Sequence, residues 1–447
     1  MAVSTDNRSS VVPMIIIGAL FFMFGFVTWL NGSLIPFLQI ACELNHLQAY
    51  LVTLAFYIAY TVMALPMSMI LRHTGYKNGM MLGLFVMVLG ALIFIPAAML
   101  RAYSIFLFAL FVLGTGLTIL QTASNPYIVT IGPRETAAVR ISIMGILNKG
   151  AGVVAPLVFS AFVLTGMDRF TEARLATLDS AQKALELSEL SARLISPYLL
   201  MAGMLVLLSL FIKFSPLPEP LFEEEGDESA TEDGSILQYP QVILGAISLF
   251  FYVGAEVIAG DTIGLFGKES GVANFGQLTS YTMVFMVIGY ALGMVAIPRW
   301  LSQQQALTSS TALGVFFAIL LLDASGDSAS IWNTLFAWTG APSIPNSVLF
   351  VALFGLSNAL VWPAIWPLAL NGLSKKNTNT ASALLIMGIA GGAILPMIYG
   401  ALAEASHDPQ SAYLIMIPCY LFILFYALKG HKLKQWSEDP RTVSQSN

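Results

Sequence analysis

Twelve separate stretches of this chain are apolar over some 20 residues, long enough for a helix to cross the hydrocarbon core of a bilayer. They fall at 12–38, 49–71, 78–98, 104–131, 140–166, 197–214, 240–267, 276–297, 304–323, 346–372, 379–403 and 412–429. Lipid offers no water to the backbone, so such runs must be helices or strands of a closed barrel. Barrel strands alternate apolar and polar residues over about ten positions, whereas these runs are apolar all round. The expected fold class is an all-α membrane protein with twelve transmembrane helices. Charged residues agree, at 10% of the 447 positions against about 25% in soluble domains. That excludes a cytosolic enzyme, and the apolar content excludes a disordered scaffold. A net charge of −5 gives no basic surface for nucleic acid. Cys42 and Cys419 are too few for a disulfide framework, and His46, His73, His407 and His431 show no metal-ligand spacing. No cofactor is expected. The first span contains Asn31 and Pro36 and lacks the basic flank and small-residue cleavage site of a secretory signal.

Loop charges orient the chain. With both termini cytoplasmic, 13 of the 20 Lys and Arg residues fall on the inner side and six on the outer, four of these in the loop 167–196. The positive-inside rule therefore predicts cytoplasmic termini. Two polar segments interrupt the pattern. Residues 180–195 have helical apolar spacing behind a capping residue and predict a short amphipathic helix resting on the outer rim. Residues 215–238 carry eight acids between Glu219 and Asp233 and predict a solvated linker. The linker separates six spans in residues 1–214 from six in 239–430, with a cytoplasmic tail at 431–447.

The two halves carry a weak repeat. Gly152 and Pro156 of span five match Gly392 and Pro396 of span eleven at an offset of 240. Gly114 and Pro126 of span four match Gly355 and Pro367 of span ten at 241, and Gly25 and Phe37 of span one match Gly254 and Phe266 of span seven at 229. Three matches in the same order imply two related six-helix halves, the arrangement of the major facilitator superfamily, in which substrate binds near the midplane between halves that rock about it. Between spans two and three that superfamily usually carries Gly-x-x-x-Asp-Arg-x-Gly-x-Arg/Lys. Here Gly75 and Lys77 fit and Arg72 stands where the Asp belongs; the segment reads as a topological mark with no chemistry of its own.

Chemistry is expected where polar groups are buried against their cost. An ionisable side chain at the bilayer centre costs roughly 2.5–3.5 kcal/mol, so it faces a partner or a wet cavity. Of the charged residues only Lys149 and Glu256 lie well inside spans, at depths of roughly 14 and 24 Å from the inner ends at 1.5 Å per residue. They come from opposite halves. Glu256 is the candidate coupling carboxylate and Lys149 its counter-charge; the competing readings are a fixed ion pair or a lysine that snorkels. Asp261, nearer the outer end, joins the ion-coupling set but reads as a wet rim residue. The candidate substrate-binding set adds Asn31, Gln121, Asn125, Asn148, Asn358 and Trp362. Amides, a carboxylate and indole faces suit a sugar, whose hydroxyls need paired donors and acceptors while its C–H face packs on an aromatic. Amides that stitch helices together in lipid are the plainer alternative. Pro36, Pro126, Pro363 and Pro367 break helices, and the backbone groups they release must face protein or water.

These residues resemble a known family. Gln121-Thr-Ala-Ser-Asn125-Pro126-Tyr127 is similar to the span-four stretch of the fucose permease and glucose/galactose transporter family. Leu30-Asn31-Gly32-Ser33-Leu34-Ile35-Pro36, Gly75-Tyr76-Lys77, Tyr252-Val253-Gly254-Ala255-Glu256 and Ala390-Gly391-Gly392-Ala393-Ile394-Leu395-Pro396 agree with it. The resemblance covers nearly the whole chain. It implies a cation-coupled sugar importer of the bacterial inner membrane, acting on a monosaccharide such as glucose, galactose or N-acetylglucosamine; a monomer is expected. Two departures stand out: Gly32 replaces the fucose permease's span-one Asp, and Gln121 replaces the Glu that opens its span-four motif. Both are that family's proton-linked carboxylates. Glu256 matches the glucose/galactose members, Trp362 aligns with a substrate-contacting aromatic, and Asn148-Lys149 resembles the branch assigned to N-acetylglucosamine uptake. The coupling ion stays open between H⁺ and Na⁺, the latter with hard oxygen ligands near Glu256. The alternative within the same fold is a proton-coupled multidrug antiporter, which usually carries Gly-x-x-x-Gly-Pro in span five, where this chain has Gly152 and Ala155-Pro156. A membrane enzyme would need a nucleophile–base set that the chain does not display.

Overall fold

The computed structural model describes residues 11–130, 137–215, 217, 235–297, 299–326, 328–373 and 375–436. Among them are twelve helices long and apolar enough to cross a membrane. They run Val12–Ala41, His46–Met63, Tyr76–Leu100, Tyr103–Ser124, Arg140–Val163 and Ser180–Phe214, then Pro240–Glu269, Phe275–Ala296, Gln303–Asp323, Asn346–Leu370, Leu384–Ser406 and Pro409–Lys432. We refer to them as spans one to twelve. Many large apolar side chains face outward, among them Phe85, Met99, Phe162 and Leu207, as lipid contact requires. Most of the acidic linker, 218–234, and the tail beyond 436 lie outside the described residues.

Several helices are interrupted where the sequence carries breakers. Span one divides at Leu30 into Val11–Trp29 and Asn31–Ala41. Span ten divides into Asn346–Asn358 and Val361–Leu370. The ring of Pro363 sits where it opposes the carbonyl four residues earlier, that of Ala359, so the break falls there. Span seven runs as Pro240–Val257, a single π-helical turn over Ile258–Thr262, and Ile263–Glu269. No proline marks the π turn, and neighbouring hydroxyls hold it.

The repeat seen in the sequence is a repeat of contacts. Gly25 of span one lies directly against the backbone of Asn148 in span five, and Gly254 of span seven lies against Leu395 in span eleven. Gly114 of span four abuts the Phe56 carbonyl of span two, and Gly355 of span ten abuts the Thr282 carbonyl of span eight. Only glycine admits neighbours this close, backbone in three of these contacts and a side chain at Gly254. Corresponding helices of the two halves are therefore packed on corresponding neighbours. Between spans two and three, Gly75 takes φ +77°, a conformation glycine reaches without strain, and Lys77 donates to the Ser215 carbonyl at 2.8 Å. The motif there ties the end of span six to the span-two turn.

The amphipathic segment forms a helix over Ser180–Ala192, capped by Asp179, whose carboxylate accepts from the Gln182 amide. Lys183 pairs with Glu43 at 2.6 Å, and Arg101 reaches the same carboxylate at 3.0 Å. Glu43 is thus held between two cations, with the Lys183 hydrogen bond the largest influence, and its carboxyl lies below the ordinary glutamate range.

At this same end the halves meet. Ser33 donates to the Gly276 carbonyl at 2.5 Å and Lys268 to Gln39 at 2.8 Å. His46 pairs with Glu269 at 3.2 Å while its backbone amide donates to Glu404 at 3.2 Å. Tyr50 packs edge-on against Tyr399, centroids 5.5 Å apart.

Candidate functional site

Lys149 and Glu256 are brought together. Lys149 lies on the helix Ala137–Val163 and Glu256 one residue before the end of Pro240–Val257. The ammonium donates to Glu256 Oε1 at 2.5 Å, and each residue is 8% exposed. The lysine does not snorkel: its charge is neutralised at mid-span by a carboxylate from the other half. Desolvating both ions costs several kcal/mol, which the contact offsets only while both partners remain.

Beneath the pair lies Trp29 of span one, its ring centroid 4.4 Å from Lys149 Nζ. The indole is buried and wedged between Gly152 of span five and Gly260 of span seven, positions where a side chain would occupy its volume. A cation over an indole face gains a further 0.5–2 kcal/mol or so. Trp29 was not singled out by sequence; the glycines at 152 and 260 were the available signal.

Asp261, expected at a wet rim, is fully buried. Depth along the chain suggested the rim; helices of both halves converging on this end remove the solvent. Asp261 stands in the π turn, and its Oδ2 accepts from the Thr53 hydroxyl of span two at 3.3 Å. The turn's released carbonyls are met by span eight: Thr279 donates to Gly260 O at 2.7 Å and Thr282 to Ala259 O at 3.2 Å. Thr262 reaches back to Ile258 O at 2.7 Å and contacts the Tyr413 hydroxyl at 2.6 Å. Gly32 packs against both the Gly260 carbonyl and the Thr279 hydroxyl. There is no room at position 32 for a carboxylate.

The amides divide. Asn148 donates to the Phe21 carbonyl of span one at 3.3 Å, the helix-stitching role. Gln121 donates to the Tyr60 hydroxyl of span two at 3.0 Å. Asn358 accepts from Tyr420 at 3.0 Å and leaves its amide nitrogen without a partner, and the buried amide nitrogen of Asn31 is likewise unmet. Such groups are costly unless a ligand or water meets them. Asn125 lies on the helix Tyr103–Thr130, with its side chain outside the described residues. Trp362 is partly buried in an aromatic wall, 6.2 Å from Tyr252 and 5.6 Å from Trp366 by ring centroids. Tyr252 lies one turn before Glu256, so the wall and the carboxylate share a face of span seven. No group of three or more His, Cys, Asp or Glu that could hold a metal occurs among the described residues.

Two homologous six-helix halves, a charge pair between them and unmet amides nearby define an integral, multi-pass membrane transporter. The Major Facilitator Superfamily model matches residues 16–395, and the chain belongs to that superfamily. It is 35% identical over 418 residues to a glucose/galactose transporter of Brucella abortus biovar 1 (strain 9-941), covering 92% of each chain. It is 24% identical over 430 residues to the L-fucose-proton symporter of Escherichia coli K12, covering 94% of each. Among solved structures it superposes on the MFS transporter FucP in the outward conformation with a TM-score of 0.69 at 24% identity, over 94% of this chain and 99% of that one.

Proposed function

We propose that the protein imports a monosaccharide by cation symport, with the site between the halves opening alternately to each side of the membrane. The observation that carries this reading is the Lys149–Glu256 contact at 2.5 Å, the point where the two halves are joined by charge at mid-span. A polar ligand that competes for either partner, or a cation that competes with Lys149, changes the energy of holding the halves in one arrangement. The aromatic wall of Trp362, Trp366 and Tyr252 and the unmet amides of Asn31 and Asn358 support a sugar as that ligand. The names of the relatives, which cite glucose, galactose and fucose, support the same class. With both termini cytoplasmic, the end sealed by Ser33, Gln39 and His46 is the outer one. The pair is completed within one chain, which supports a monomer as the transport unit.

The test is reconstitution in proteoliposomes with labelled glucose, under an imposed Na⁺ gradient or pH gradient separately. Accumulation is expected under one gradient and is expected to be lost in Glu256→Gln. Competition by unlabelled galactose and N-acetylglucosamine identifies the substrate. If neither gradient drives uptake of any of the three sugars, the reading is wrong.

A further inference from the structure

Asp261 is a carboxyl that the Lys149–Glu256 pair does not use. It is fully buried, one oxygen accepts from Thr53, and the other is buried without a partner. A carboxylate in that setting lacks the cation and the hydrogen bonds that ionisation requires, whereas the neutral acid asks for far less. The Thr53 contact joins span two of one half to span seven of the other, inside the seal formed by Ser33–Gly276 and Tyr50–Tyr399. The π turn that holds Asp261 is a kind of helix irregularity that occurs frequently at functional positions.

We propose that Asp261 binds the coupling proton, and that this proton is what allows the halves to close at this end. The neutral acid fits the dry seal. When the O–H bond breaks and the proton passes to water on the open face, the carboxylate left behind must be hydrated, and the seal parts. Proton binding is thereby tied to the direction in which the site faces. This rests on the symport reading for its role in uptake, but the proton-controlled seal stands by itself. Other titratable groups face the same region: Glu256 on the same span, Tyr50 and Tyr57 on span two, Tyr399 on span eleven, and Tyr413 on span twelve. His46, Glu269 and Glu404 lie at its outer edge. Of these, His46 bridges the halves through Glu269 and the Glu404 carboxylate, so it requires its own control.

The test measures the seal without sugar. Spin labels at Leu47→Cys and Ala405→Cys, in a C42A/C419A background, report the separation of the halves by pulsed dipolar spectroscopy. As the pH is raised stepwise from acid to alkaline, the wild-type distribution is expected to move from short to long distances. Asp261→Asn is expected to stay short throughout, Thr53→Val to shift the midpoint, and His46→Gln to retain a pH response even where loss of its contact with Glu269 loosens the seal. A pH response in Asp261→Asn equal to that of wild type overturns the proposal. So does a wild-type distribution that ignores pH, or a response abolished by His46→Gln. In proteoliposomes Asp261→Asn, held shut at the outer end, is expected to lose both glucose counterflow and accumulation. Absence of counterflow in the wild type counts against the sugar reading alone and leaves the spectroscopic result to decide the seal.

Discussion

Lys149 of span five donates to Glu256 of span seven at 2.5 Å, and Trp29 of span one lies under the lysine with its ring 4.4 Å from the ammonium. Three helices from two homologous halves thus converge on one buried positive charge. Removing a single partner from such a pair is the damaging change, because it strands the other charge away from water. Glu256→Gln or Lys149→Met alone is expected to lower stability by about 3–5 kcal/mol, read as a fall in thermal midpoint in detergent. The double variant is expected to recover most of that stability and none of the sugar accumulation. Recovery of transport in the double variant would make the pair purely structural.

Trp29 separates packing from charge. Trp29→Ala empties the space between Gly152 and Gly260, and about 3–5 kcal/mol of stability is expected to go with it. Trp29→Phe fills most of the volume with a weaker cation–π face. It is expected to retain the fold while raising the sugar concentration needed for half-maximal uptake, measured in proteoliposomes. Equal loss of stability in both variants would argue that volume is irrelevant there.

Close helix crossings give a prediction about symmetry. Gly25→Val and Gly254→Val each force a branched side chain into the neighbouring helix, Asn148 in one case and Leu395 in the other. Overpacking of this kind costs about 1–3 kcal/mol and often more where backbone is the obstacle. Both variants are expected to lose stability, with Gly25→Val the worse because it meets backbone and Gly254→Val a side chain. Thermal midpoints of the purified variants rank them.

The helix Ser180–Ala192 is pinned by Lys183 and Arg101 on Glu43. The Glu43 carboxyl is depressed by those cations, so the contribution it makes is present above the ordinary glutamate value of about 4.3 and is lost as pH falls through its lowered folded value. A spin label at Ser188, exposed on that helix, is expected to become more mobile in that acid window. Glu43→Gln is expected to show the mobile spectrum already at neutral pH. An unchanged acid transition in Glu43→Gln would assign the pinning elsewhere.

Much of the molecule was legible in sequence because lipid is a demanding solvent. A backbone that finds no water must bond to itself, so apolar runs of sufficient length declare twelve helices, and the expensive charges inside them stand out. Lys149 and Glu256 were found that way, and the glycine offsets between halves pointed to shared packing. Sequence by itself thus determined the class of fold, the span count and the two deepest charges. It did not show that Asn148 bonds to the Phe21 carbonyl and works as a stitch, nor that Trp29 supports Lys149. It placed Asp261 by its position along a helix and so assigned it to a wet rim. Only the tertiary structure decided that Asp261 is dry, because burial depends on which helices of the other half close over a residue. The same holds for the π turn: its carbonyls are satisfied by Thr279 and Thr282, some twenty residues away in the chain and on a different span. Local pattern reports what each helix must bury, and three-dimensional packing chooses what it is buried against.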